Sequence, residues 1–85
     1  MKASEKKIRE CFIILGRAIA AERKKRKITL EQLGFDIGLD KSAMHHIENG
    51  KPITLTTLFK IAAVLNIKYY ILFKKIPVLT KDDID

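Results

Sequence analysis

Residues 29–50 read Thr-Leu-Glu-Gln-Leu-Gly-Phe-Asp-Ile-Gly-Leu-Asp-Lys-Ser-Ala-Met-His-His-Ile-Glu-Asn-Gly, and this stretch decides the fold. Leu30, Leu33 and Ile37 recur at helical spacing, so a helix is predicted through them. Thr29 is placed to cap it, with Gln32 completing a capping box at the third helical position. Gly38 ends it, because glycine adopts the left-handed conformation of a helix terminus without a Cβ clash. Asp40 then offers a side-chain oxygen to the open amides of a second helix, predicted from about Lys41 to Asn49 and stopped at Gly50. Met44 and Ile47 face inward with Leu39, which leaves Lys41, Ser42, His45 and His46 on the outer side.

Working outward, Ser4 is placed to cap a long first helix reaching about Arg26. Ile8, Phe12, Leu15 and Ile19 form its apolar stripe, widened by Cys11, Ile14 and Ala18. The run Arg23-Lys24-Lys25-Arg26-Lys27 closes that helix, where cations offset the negative end of the dipole. On the other side, Lys51-Pro52-Ile53 forms a loop, and Thr54 caps a helix carrying Leu55, Leu58, Ile61, Ala62 and Leu65 on one face. Asn66 is its left-handed terminator.

From Ile67 to Ile76 the pattern changes. Tyr69, Ile71 and Phe73 share one parity, Tyr70 and Leu72 the other, and a strand is the preferred reading. A lone strand leaves its amides and carbonyls unpaired, so Tyr69, Tyr70, Ile71, Leu72 and Phe73 are expected to pair with the same segment of a second subunit. The alternative is a short fifth helix, with Tyr70, Ile71 and Lys74 at helical spacing. The expected organisation is an all-α domain over 1–67 followed by a dimerisation strand and a polar, frayed tail over 68–85.

Eighty-five residues make one small domain with a single core, for which oligomerisation is a natural support. A formal charge of +7 favours a polyanionic partner, because cationic side chains release condensed counterions from phosphates. No apolar run approaches the length of a membrane span, and the first residues carry no signal-type apolar segment, so a cytoplasmic protein without a membrane role is expected. The single cysteine, Cys11, has no internal partner and reads as a buried, inert thiol.

The pairs Leu33-Gly34, Gly38-Leu39 and Ala43-Met44 and the run Ile47-Glu48-Asn49-Gly50 resemble the signature of the Xre, or lambda-repressor-like, helix-turn-helix family. The order of elements from Leu15 through Ile67 matches that family's five-helix DNA-binding domain. Two positions depart from the pattern: Gly34 stands where alanine is usual, and Leu30 where a polar residue is common. The resemblance implies that Arg23 pairs with Glu48, tying the first helix to the recognition helix. It also implies base-reading roles for Lys41, Ser42 and His46. Lysine suits guanine O6 and N7, serine discriminates less, and histidine either donates or accepts; Ala43 is small enough to touch a thymine methyl. Thr29, His45, Asn49 and Lys51 are the expected phosphate contacts. Each carries a plainer reading: Lys41 as a purely electrostatic contact and His45 as a rim residue. The basic run 23–27 reads first as a solvated helix end, with contact to the DNA backbone as the alternative. Asp40 is explained by capping alone.

The function expected is that of a sequence-specific transcriptional regulator, most often a repressor in this family, binding double-stranded DNA as a homodimer on a palindrome. Half-sites about 34–36 Å apart suit two such helices. The alternative is an antitoxin that also holds a cognate toxin protein, because residues 54–61 followed by the apolar run are similar to HipB-type antitoxins, whose C-terminal strands pair across a dimer. An enzyme is disfavoured by two histidines, one cysteine and the lack of a glycine-rich phosphate loop. No cofactor or metal is expected, since His45 and His46 diverge by about 100° around a helix.

Overall fold

The computed structural model describes residues 3–84. They form six helices: α1 (Ala3–Lys25), α2 (Leu30–Ile37), α3 (Lys41–Glu48), α4 (Leu55–Leu65), α5 (Tyr70–Phe73) and α6 (Lys81–Ile84). None is long and apolar enough to cross a membrane.

Local chemistry sets most of the boundaries. At α2, the Gln32 amide donates to Thr29 Oγ1 at 3.1 Å and the Thr29 amide donates to Gln32 Oε1 at 2.9 Å, so two open donors are satisfied reciprocally. Gly38 terminates α2 at φ 80°, and the Leu39 amide returns to the Gly34 carbonyl at 2.8 Å. At α4, Thr54 Oγ1 accepts from the Thr57 amide, and Asn66 closes the helix in the left-handed region. The end of α1 is different. Lys27 takes the left-handed conformation at φ 55°, and the Ile28 amide donates to the Arg23 carbonyl at 3.2 Å. No glycine marks that turn. Ser4 does not cap α1, because the helix already includes Ala3.

Leu15, Ile19, Leu33, Met44, Ile47, Leu58, Ile61, Leu65 and Leu72 make one core, drawn from α1 to α5. Leu33 and Met44 are fully buried and hold α2 against α3. Two expectations shift here. Leu55 occupies the first position of α4 and is 65% exposed, so the core face of that helix begins at Leu58. Cys11 is half-buried and Ile8 exposed, while Phe12, half-buried, packs against the core as expected.

The C-terminal segment corrects the preferred reading. Among the described residues there is no strand, and residues 70–73 are helical. The Leu72 amide donates to the Tyr69 carbonyl and the Ile71 amide to the Lys68 carbonyl, so helical turns satisfy locally the groups a lone strand would leave open. Burial follows the helical period. Leu72 is 0% exposed while Tyr70, its partner in strand parity, is 57% exposed. Leu72 therefore belongs to the core of its own chain and is unavailable for pairing with a second one.

The polar tail is ordered as well. The Thr80 amide donates to Asp83 Oδ2 at 2.8 Å, and Lys7 of α1 pairs with Asp83, which fastens α6 to the start of the chain. Asp83 is held at a pKa of about 2 by that lysine and by hydrogen bonds from Thr80. Asp85, also expected in the frayed tail, lies outside the described residues.

Candidate nucleic-acid interface

The second helix of the quoted stretch, α3, is mounted at three points. Its start is fixed by Asp40, whose Oδ1 accepts from the Ala43 amide at 2.8 Å. Its inner face is held by Met44 and Ile47. Its end is held by α1, through a close crossing and a buried ion pair.

The crossing depends on Gly16. A Cβ built there would lie 2.5 Å from the Ile47 carbonyl oxygen and 2.6 Å from that of Glu48, so only glycine lets α1 come this near the end of α3. Gly34 has a similar reason. A Cβ at that position would lie 2.5 Å from the Leu39 carbonyl oxygen, so the departure from alanine follows from how tightly α2 sits on the turn.

The ion pair joins Arg23 and Glu48. Arg23 Nε donates to Glu48 Oε2 at 2.7 Å and Nη2 donates to Oε1 at 3.0 Å, a bidentate geometry, while Nη1 donates to the Ile28 carbonyl at 2.8 Å. Arg23 is the one charged residue in the buried class among the described residues. The carboxylate and the hydrogen bonds it accepts raise the Arg23 pKa, against the opposing effect of burial. One guanidinium thus links α1, the turn before α2 and the end of α3.

With α3 fixed, its outer residues are displayed as a unit. Lys41, Ser42, His45 and His46 are all exposed, and Ala43 is half-buried, so only part of its methyl is offered outward. Lys41 has no carboxylate within ion-pair distance among the described residues. The His45 and His46 rings stand edge to face with centroids 5.9 Å apart. Asp40 is exposed, with Oδ1 committed to its cap.

The flanking residues frame both ends. Thr29 is exposed beside the open amides of α2, and its hydroxyl is engaged in the capping box. Asn49 Nδ2 donates to the His45 carbonyl at 2.8 Å, closing the end of α3. Lys51 is exposed, and its amide donates to the His46 carbonyl at 3.0 Å. These groups flank α3, a single helix of eight residues and about 12 Å length. Leu30 is half-buried against the core, so its side chain serves packing.

Several residues escaped the sequence reading. Gly16 carries the crossing, and its signal was a glycine inside a long helical pattern. Phe35 is 84% exposed on α2, and its signal was an aromatic residue out of phase with Leu33 and Ile37. Arg17 borders the end of α3, beside Lys24 of the basic run already singled out. Nothing in the one-dimensional pattern places them there.

Comparison with known proteins agrees with this geometry. A family model described as helix-turn-helix matches residues 19–72. A search of curated proteins gives no match. Among solved structures, the chain is similar to the restriction-modification controller protein C.AhdI from Aeromonas hydrophila. The TM-score is 0.70 at 28% identity, over 73% of this chain and 91% of that one.

Proposed function

The chain belongs to the helix-turn-helix family of the Xre or lambda-repressor type, and from that premise we propose that it represses transcription as a homodimer on a palindromic operator. As a member of that family the chain is a DNA-binding transcriptional regulator. The proposed activity is binding and not catalysis, exerted where the chromosome is, in the cytoplasm. The observation that carries the reading is the α3 helix, fixed at three points, with Lys41, Ser42 and His46 exposed together. A single helix fits the major groove, where the four base pairs present different donor and acceptor patterns.

In this reading Lys41 addresses guanine, Ser42 and His46 read neighbouring base edges, and Ala43 contributes a partial methyl contact. Thr29, His45, Asn49 and Lys51 fix the register on the phosphates. One such helix spans only a few base pairs, so a second copy is needed for useful specificity. We assign the contact between copies to the apolar surface of α4 and α5. Leu55 and Phe59 lie one turn apart there, the Phe59 ring is 5.2 Å from that of Tyr69, and Tyr70 and Phe73 are exposed. Domain limits shift with it: residues 68–76 belong to the helical body, and dimerisation draws on α4 as well.

Selection of bound fragments from random DNA tests this. The expected result is a palindrome, with Lys41→Ala weakening binding to it by about 1–3 kcal/mol while leaving random DNA little affected. Enrichment of no sequence would sink the proposal. Equal loss on every sequence would make Lys41 a phosphate contact.

The toxin-binding alternative rests on the likeness of residues 54–61 and the following run to HipB-type antitoxins, and the helix at 70–73 does not add the paired strands of that group to its support. A different second reading is favoured by the likeness to a restriction-modification controller: the regulated genes are those of such a system. Adjacent reading frames for an endonuclease and a methyltransferase, with a binding site upstream of them, are the expected observation. A neighbouring toxin frame and a co-purifying second polypeptide would favour the antitoxin instead.

A further inference from the structure

A cleft of about 510 Å³ opens between the C-terminal half of α1 and the end of α3. Arg17 and Lys24 stand on its α1 side, and His45 and Asn49 on its α3 side. Its one carboxylate, Glu48, is already neutralised by Arg23 at 2.7 and 3.0 Å. Arg17 and Lys24 are exposed, and among the described residues neither has a carboxylate within ion-pair distance. Their neighbours Lys25 and Arg26 differ, because both are engaged with Glu22.

We propose that this cleft seats the phosphate backbone of the bound duplex, with Arg17 and Lys24 as its two cations, extending the footprint from α3 onto α1. The proposal rests on the DNA-binding reading above and adds a surface to it. The cleft is continuous with the exposed flank of the recognition helix through His45 and Asn49, so a duplex lying along that flank brings a strand past its mouth. Two uncompensated cations on the far wall then face that strand, and an anion entering meets no free carboxylate. A helix end alone would account for Lys24, which offsets the dipole of α1, but Arg17 lies two turns earlier and has no such role. Phosphate contacts of this kind add affinity and register without reading sequence.

The test is the salt dependence of binding between about 50 and 200 mM, where each phosphate contact contributes a slope of about −0.9 in log K against log salt. With two copies on the duplex, Arg17→Gln with Lys24→Gln removes four contacts and should flatten the slope by about 3.6 on specific and random duplexes alike, and each single variant by about 1.8. A charge-matched control, Lys60→Gln with Lys81→Gln, removes two exposed cations on α4 and α6 that do not line the cleft, and should leave the slope near that of the unaltered protein. Equal slopes for the cleft variant and the control overturn the seat alone. Failure of the unaltered protein to retain any duplex at low salt overturns the DNA-binding reading, and the seat falls with it. Far-UV circular dichroism and urea midpoints matching the unaltered protein confirm that the variants are folded.

Discussion

Replacing Arg23 by methionine probes the joint on which the presentation of α3 depends. The substitution keeps much of the side-chain volume and removes three hydrogen bonds, two to Glu48 and one to the Ile28 carbonyl. The side chains of Arg23 and Glu48 are 10% and 8% exposed, so a Glu48 carboxylate left alone is desolvated without a counter-charge. Breaking a buried pair from one side costs about 3–5 kcal/mol, against about 0–1 for an exposed pair. For a chain of 85 residues, stability of about 0.05–0.15 kcal/mol per residue makes that a large fraction of the whole.

Urea unfolding followed by circular dichroism reads the loss. At an m-value of about 1 kcal/mol/M, the midpoint should fall by about 3 M or more. The double variant Arg23→Met with Glu48→Leu removes both charges and should recover most of the loss, since an apolar pair fills a buried ion-pair site at little cost. The coupling energy across the cycle is then about 2 kcal/mol or greater. A loss below about 1 kcal/mol in the single variant, with no coupling, would refute the reasoning. It would mean that water screens the pair and that α3 is held by apolar contacts alone.

Three other outcomes follow from the packing. Gly16→Ala should destabilise the fold by about 1–3 kcal/mol in spite of the better helix propensity of alanine, because its methyl meets two carbonyl oxygens; a raised melting temperature would contradict the close crossing. Leu72→Ala should cost about 2–5 kcal/mol in unfolding free energy of the subunit, whereas a residue serving mainly a dimer contact would change the concentration dependence of assembly instead. Asp83, depressed to about 2 in the folded chain, favours the folded state above its unfolded pKa near 3.8, and that contribution fades as pH falls through about 2. A carboxyl titration followed by NMR should therefore show a midpoint near 2. A midpoint near 3.8 would place α6 free of Lys7.

Much of the helix-turn-helix was legible in one dimension because its determinants are local. Thr29 with Gln32, Gly38, Asp40 and Asn66 each act on backbone groups within a few residues, so their chemistry fixes helix ends wherever the chain goes. The phase of Met44 and Ile47 likewise dictates which side of α3 faces outward. The run 67–76 was not legible in the same way. Its apolar residues satisfy both periods, and no cap or turn residue arbitrates between them.

Residue order alone therefore determined the two helices, the turn between them and the polar flank of the second, since those follow from hydrogen bonds and side-chain phase over short separations. Tertiary structure decided the rest. It made 70–73 a helix, because at that period Leu72 is buried in the core while Tyr70 and Phe73 stay outside. It also brought Gly16, Arg17 and Lys24 to the end of α3, contacts set by how two helices cross, which no local pattern encodes.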